Sequence, residues 1–303
     1  MIEFAAQQVE SRLNALAQEM VRCEGSADPD TVHDLRIATR RLGGCLEVFE
    51  QFCPKRLRKQ RKRLELVRKL AGPIRDLDVT LELLLSAGVP IESSLAQTLM
   101  DRRSQQAGEL QGCINKWRPV TPDLLRAEMQ DRRPKKSRAR KSGKTKHRLR
   151  LDGSQSPQDN AAVVLPGLAK RFFRAGSKAQ ASNADPKDLH RFRIRLKRFR
   201  YTLELFRPCY EDGLSKRLTQ LQALQDHLGR MNDCQTALDL VVDKQWAKSH
   251  PNAAGALRDS ILTLKAAEIQ EFQKCWREQF GSQERHRWIG YLRSPQKKRH
   301  LAA

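Results

Sequence analysis

His33, Arg36, Arg40 and Arg41 lie within one nine-residue run, His-Asp-Leu-Arg-Ile-Ala-Thr-Arg-Arg, and the pattern returns as His190, Arg193, Lys197 and Arg198. An imidazole among fixed cations, with no nucleophile or carboxylate pair beside it, is suited to holding an anion rather than breaking a bond. Arginine favours that use because its planar fork can grip two phosphate oxygens at once. Glu47 and Glu204 occupy the same place in each run and read as groups that orient neighbouring arginines. A histidine can also ligate a metal, but each run has a single His among cations that repel one. No His/Cys/carboxylate cluster at ligand spacing accompanies it. Neither a G-x-x-x-x-G-K-[ST] loop nor a G-x-G-x-x-G turn occurs. The expectation is a binding protein without metal, cofactor or catalytic residues.

The elements that must position these residues are helices. Apolar residues recur at three- and four-residue spacings, good helix formers dominate, and β-branched alternation is nearly absent. Gly, Pro and Asp punctuation predicts helices near 3–23, 30–51, 55–86 and 91–117, then 160–180, 187–207, 213–243 and 252–280. The second set follows the first at a constant offset of 157. Between 33 and 49, seven of 17 positions are identical across the offset, where chance gives about one. Without gaps the same offset pairs Asp28-Pro29 with Asp185-Pro186, Lys59 with Lys216, Gly72 with Gly229 and Asp76 with Asp233. On a helical wheel Leu35, Ala38, Leu42, Leu46 and Phe49 gather opposite His33, Arg36 and Arg40, and the second copy divides likewise. The apolar stripe is expected to be buried and the basic stripe displayed. Asp76 and Asp233 read as acceptors for the arginines of the preceding helix rather than catalysts. Lys59 and Lys216 extend the basic set more weakly.

Composition agrees with an anionic partner. The chain has 303 residues, 58 Lys+Arg against 35 Asp+Glu, and a net charge of +23. Residues 132–150 carry eleven Lys/Arg and no acid, leaving +12 for the rest. A basic disordered linker is therefore expected over 131–159, between a first helical half at 1–130 and a second helical half plus C-terminal tail at 160–303. No apolar run is long enough to span a bilayer, the N-terminus lacks a signal-peptide pattern, and the seven cysteines form no C-x-x-C. A cytoplasmic protein is expected. With 6% aromatic residues and none interleaved with the basic stripes, stacking of single-stranded bases has little support.

The segments TVHDLRIATRRLGGCLEVFE and DLHRFRIRLKRFRYTLELF resemble the paired His-x-x-Arg helices of the CHAD family, the conserved-histidine α-helical domain. LAGPIRDLDVTLELL and LQDHLGRMNDCQTALDLV resemble its second marker, a Gly-x-x-x-Asp segment in each half. The resemblance implies an all-α fold of two four-helix bundles related by pseudo-twofold symmetry around a basic channel or groove. It also implies non-catalytic binding of inorganic polyphosphate and association with polyphosphate granules. The binding positions it implies are His33, Arg36, Arg40, Arg41, His190, Arg193, Lys197 and Arg198, with Lys59 and Lys216 beside them. One departure is that Gly43-Gly44 interrupt the first motif helix where the second has Arg200-Tyr201. The alternative reading is a helical nucleic-acid binder working through the 132–150 arm, which leaves nucleic acid as a weaker or non-specific partner. The sequence leaves oligomeric state open.

Overall fold

The computed structural model describes residues 1–116, 149–181, 185–210, 212–241 and 244–296. Among them the chain is all-helical. The first half comprises α1 (Ile2–Gly25), α2 (Pro29–Val48), α3 (Lys55–Ser86) and α4 (Ser94–Asn115). The second comprises α5 (Pro157–Ala179), α6 (Pro186–Leu205), a 3-10 turn (Arg207–Cys209), α7 (Gly213–Val241), α8 (Lys244–Ser249), α9 (Pro251–Phe280) and α10 (Ser282–Arg293). None of the helices is long and apolar enough to cross a membrane.

The two motif helices begin in the same way. Asp28 accepts hydrogen bonds from the backbone N–H of Asp30 and Thr31 at 3.0 and 2.8 Å, with Pro29 opening the first turn of α2. Asp185 accepts from the N–H of Lys187 at 2.8 Å, with Pro186 in the same position on α6. Each carboxylate satisfies donors that the first turn leaves unpaired, and each proline supplies a preset φ where no N–H is needed. Gly88, at φ +81°, ends the turn that closes α3.

α1 packs on α2, α2 on α3 and α3 on α4, while α5 packs on α6, α6 on α7 and α7 on α9. The halves meet where α2 lies against α6 and α3 against α7. Phe49 and Phe206, which share a register at the offset of 157, have ring centroids 6.1 Å apart. Phe4 bridges them at 6.1 and 5.7 Å, so one apolar core runs through both halves. A second cluster joins Leu77, Leu84 and Leu99 to Leu238, Val241 and Ile261 at the far ends of α3 and α7.

Two features differ from the sequence reading. Helix α10 lies in what the reading took as a tail, and it buries Trp288 and Leu292 against α5. Its short apolar stripe has no counterpart in the first half, so a four-plus-four pattern passes over it. The linker expected to reach 159 is seated from residue 149 onward. Leu149 and Leu151 are buried in the core, the Gln51 amide donates to the Leu151 carbonyl, and the Asp152 N–H donates to Asn160 Oδ1 at 2.6 Å. The two leucines in LRLDG supply the apolar area that the basic composition of the preceding run masks. Most of the 132–150 arm, and Trp117, lie outside the described residues.

Glycines separate tight from loose packing. A Cβ on Gly176 of α5 would overlap the indole of Trp276, which stands in the aromatic cluster with Phe172 and Phe280. A Cβ on Gly43 would meet nothing within 4 Å. Gly176→Ala is expected to destabilise the fold by about 3 kcal/mol through overpacking, and Gly43→Ala to stabilise it by about 1 kcal/mol through helix propensity. Urea unfolding of the two variants, read by circular dichroism, checks both signs.

Candidate anion-binding site at the seam of the two halves

Helices α2 and α6 bury Leu35, Leu42, Leu46 and Phe192, Phe199, Leu203 on their core sides. Their basic stripes are not displayed to open solvent as the wheel suggests. Each half-buried stripe faces the other half, because α2 packs on α6. Arg36 and Arg40 of α2 are close enough to Arg193 and Lys197 of α6 for their charges to oppose one another. Arg75 of α3 joins them, as do Asp76 of α3 and Asp233 of α7.

The ionisation of these groups follows from that crowding. Burial first, then repulsion by Arg40, takes the Arg36 guanidinium down to about 10, against the attraction of Asp76. Burial, then Arg193 and Arg40, push the Lys197 ammonium down to about 7. Arg193 is lowered by burial and Arg40, with Asp233 acting in the opposite direction. His33 is lowered by burial and by Arg75. Burial raises both Asp76 and Asp233, while the surrounding arginines pull them down. Fixed cations outnumber carboxylates in the cluster. The Nε of Arg40 and of Arg193 are both buried and have no hydrogen-bond partner among the described residues. A buried donor left unpaired costs about 1–3 kcal/mol, and an anion oxygen would satisfy it.

Ion pairs lace the edges of the seam reciprocally. Arg41 of α2 pairs with Glu204 of α6 at 3.3 Å, and Arg198 of α6 pairs with Glu47 of α2 at 2.8 Å. The offset of 157 exchanges these pairs, since Arg41 corresponds to Arg198 and Glu47 to Glu204. The orienting role expected of the two glutamates is thus exerted across the halves. In this role Arg41 and Arg198 are framework more than free ligands.

The halves are unequal. Gly72 of α3 lets the Arg36 guanidinium approach closely, since a Cβ there would stand 3.1 Å from Nη1. Gly229 has open space instead. Arg193 donates to Asn232 Oδ1 at 2.7 Å, and the residue matching Asn232 in the first half is Arg75. Arg200, standing where the first copy has Gly43, is buried and hydrogen-bonded to Gln222 and to Gln225, the latter at 3.1 Å. His33 is half-buried beside the cluster, whereas His190 is exposed. Lys216 is exposed too, and the side chain of Lys59 lies outside what the structure describes. Six expected residues therefore come to the seam or its edges on α2 and α6, together with His33, while His190 and Lys216 face solvent. Sequence reasoning missed Arg75, although it directly precedes Asp76 in the second marker segment and lies one turn after Gly72. Among the described residues no group of three His, Cys, Asp or Glu is placed to hold a metal ion.

The model of the CHAD domain matches residues 7–242. The chain belongs to the CHAD family. Its fold is similar to the crystal structure of the CHAD domain from the plant Ricinus communis, at 23% identity and a TM-score of 0.64, covering 98% of this chain and 93% of that one. It is also similar to PptA from Streptomyces chartreusis, at 14% identity and a TM-score of 0.54, covering 91% and 99%. No curated protein matches the chain. The CHAD family match ends at the C-terminus of α7, so α8, α9 and α10 extend beyond the matched span.

Two neighbours in the cluster have opposite effects on the free CHAD protein. Asp233 offsets the charge of Arg193 and Arg75, whereas Lys197 adds to it. Asp233→Asn is expected to lower Tm by several degrees, and Lys197→Met to raise it by about 3 °C at pH 6, where the lysine is held charged. The gain from Lys197→Met should shrink as pH rises through about 7, because the native lysine then releases its proton. Thermal unfolding at pH 6 and pH 8, without added polyanion, tests both.

Proposed function

We propose that the protein binds inorganic polyphosphate at the α2–α6 seam and catalyses no reaction on it, acting on polyphosphate granules. The reading rests on one observation above the others. Arg36, Arg40, Arg193 and Lys197 converge from two halves into one half-buried cluster, held by too few carboxylates to neutralise it. Membership of a family associated with polyphosphate binding supports the same substrate. Half-burial matters because a cation shielded from water acts on an anion more strongly than one on an open face.

In this mechanism the polymer enters the seam and its successive phosphoryl groups meet cations from alternate halves. Arg40 and Arg193 turn their unpaired Nε–H toward its oxygens. Asp76 and Asp233 keep the guanidinium groups aimed while the site is empty. Each phosphate neutralised releases condensed counterions, so affinity falls steeply with salt. The contacts carry no base readout, and a polymer whose phosphates share bridging oxygens presents more charge to a short seam than one spaced by sugars.

In competition at physiological salt, long-chain polyphosphate should displace duplex DNA and RNA of equal total charge from the full chain. Arg36→Glu or Arg193→Glu alone should weaken polyphosphate binding about tenfold, and the pair at least about a hundredfold, with helicity unchanged. Deleting residues 132–148, which stops short of the buried Leu149, should leave most polyphosphate affinity. Stronger binding of nucleic acid, or loss of affinity on deleting the arm but not on reversing the seam charges, would reassign the protein as a nucleic-acid binder.

A further inference from the structure

Lys197 stands in a place where its counterpart in the first half, Arg40, carries a permanent charge. The ammonium is half-buried, and the groups facing it are mostly cations. Arg193 stands one turn before it on its own helix, Arg36 and Arg40 come from α2, which packs on that helix, and Asp233 comes from α7, which packs there too. Arg75 and Asp76 of α3 act on the same arginines and on Asp233. A fourth fixed charge here would be forced against three others. A lysine can avoid the conflict by giving up its proton, which an arginine cannot do.

Resting on the polyphosphate reading, we propose that Lys197 is an uncharged amine in the ligand-free protein at mildly alkaline pH. It becomes a charged phosphate ligand only when a dense polyanion enters the seam, so that binding takes up a proton. The physical step is simple. An incoming polyphosphate cancels the field of Arg36, Arg40 and Arg193, and the amine takes a proton from solvent to become an ammonium that donates to a phosphate oxygen. No bond to phosphorus forms or breaks. The lowered affinity of the amine for its proton in the empty site, at about 7, is what such crowding produces. The sign follows from linkage: the bound state holds the proton more tightly than the free state, so affinity is highest at low pH and falls as pH rises above about 7.

Lys197 thereby acts as a specificity-determining residue. A sparse polyanion that leaves the arginine field partly uncancelled does not recruit the proton and loses one ligand. A phosphate polymer of high charge density recruits it. His33 is the other titratable group that the cluster disfavours in charged form, and it lies on the far side of Arg36 from Arg40 along α2, beside Arg75. The experiment has to separate the two.

The test is calorimetric titration of the full chain with long-chain sodium polyphosphate, whose chain ends are few. It is run at about pH 8 in two buffers of different ionisation enthalpy. The difference in apparent enthalpy counts protons. The native protein is expected to take up about one proton per bound site, Lys197→Arg and Lys197→Met none, and His33→Asn about one. Across pH 7 to 9 the affinity of the native protein should fall about tenfold per unit, while that of Lys197→Arg stays flat. Binding without proton uptake, or equal uptake by Lys197→Arg, would overturn the inference and leave polyphosphate binding standing. Absence of polyphosphate binding in every buffer would overturn both.

Discussion

Repulsion between like charges across the α2–α6 seam is the constraint around which the rest of the molecule is arranged. Folding presses Arg36 and Arg40 toward Arg193 and Lys197, an arrangement that water would otherwise pull apart. The opposing force lies on the reverse side of the same two helices. There Phe49 and Phe206 meet over Phe4, and a continuous apolar core spans both halves. Burial of a large aromatic side chain contributes about 2–3 kcal/mol. Several such side chains can therefore hold together a seam that is electrostatically unfavourable while empty. Ion pairs at the rim, Arg41 with Glu204 and Arg198 with Glu47, add little energy at their exposure but fix the register in which the stripes face one another. A site that stores repulsion in this way gains affinity when an anion relieves it, because part of the cost of gathering the cations is met during folding.

Much of this was legible from residue spacing. The caps Asp28 and Asp185, the apolar stripes of α2 and α6, and the identities of Arg36, Arg40, Arg193 and Lys197 all follow from local rules and from the sequence match at an offset of 157. The direction in which the basic stripe points was not legible. A helical wheel says which residues share a face, but it cannot say that a second helix will cover that face, since the pairing of α2 with α6 joins positions about 157 apart. Arg75 escaped for a related reason. Its role depends on the approach of α3 to α7, and its counterpart Asn232 hides it from a search for matched cations. His190 was carried over by matching the copies, yet only His33 is half-buried, because matched letters do not ensure matched surroundings. The helix α10 and the seat of residues 149–152 were missed because their apolar residues are few and lie amid polar sequence.

The inequality of the halves has its own physical sense. Arg200 and Tyr201 fill space on α6 that Gly43 and Gly44 leave empty on α2, and Arg200 is tied to α7 through two glutamine side chains. The second half thus has a brace here that the first lacks. The first offers the denser field, with Arg75 close to Arg36 and His33 and with Gly72 admitting a guanidinium against the α3 backbone. The seam therefore has two unlike walls, one carrying the extra hydrogen bonds of Arg200 and the other the extra charge of Arg75.

The seating of Leu149 and Leu151 bears on chain connectivity. These residues precede α5, yet they are fastened beside the end of α2, where Gln51 holds the Leu151 carbonyl and Phe52 lies against Gly153. The second half is thereby already docked onto the first before α5 begins. The approach to α5 is therefore shared by both halves: Gln51 and Phe52 hold it from one side and Asn160 from the other, so loosening either side loosens both.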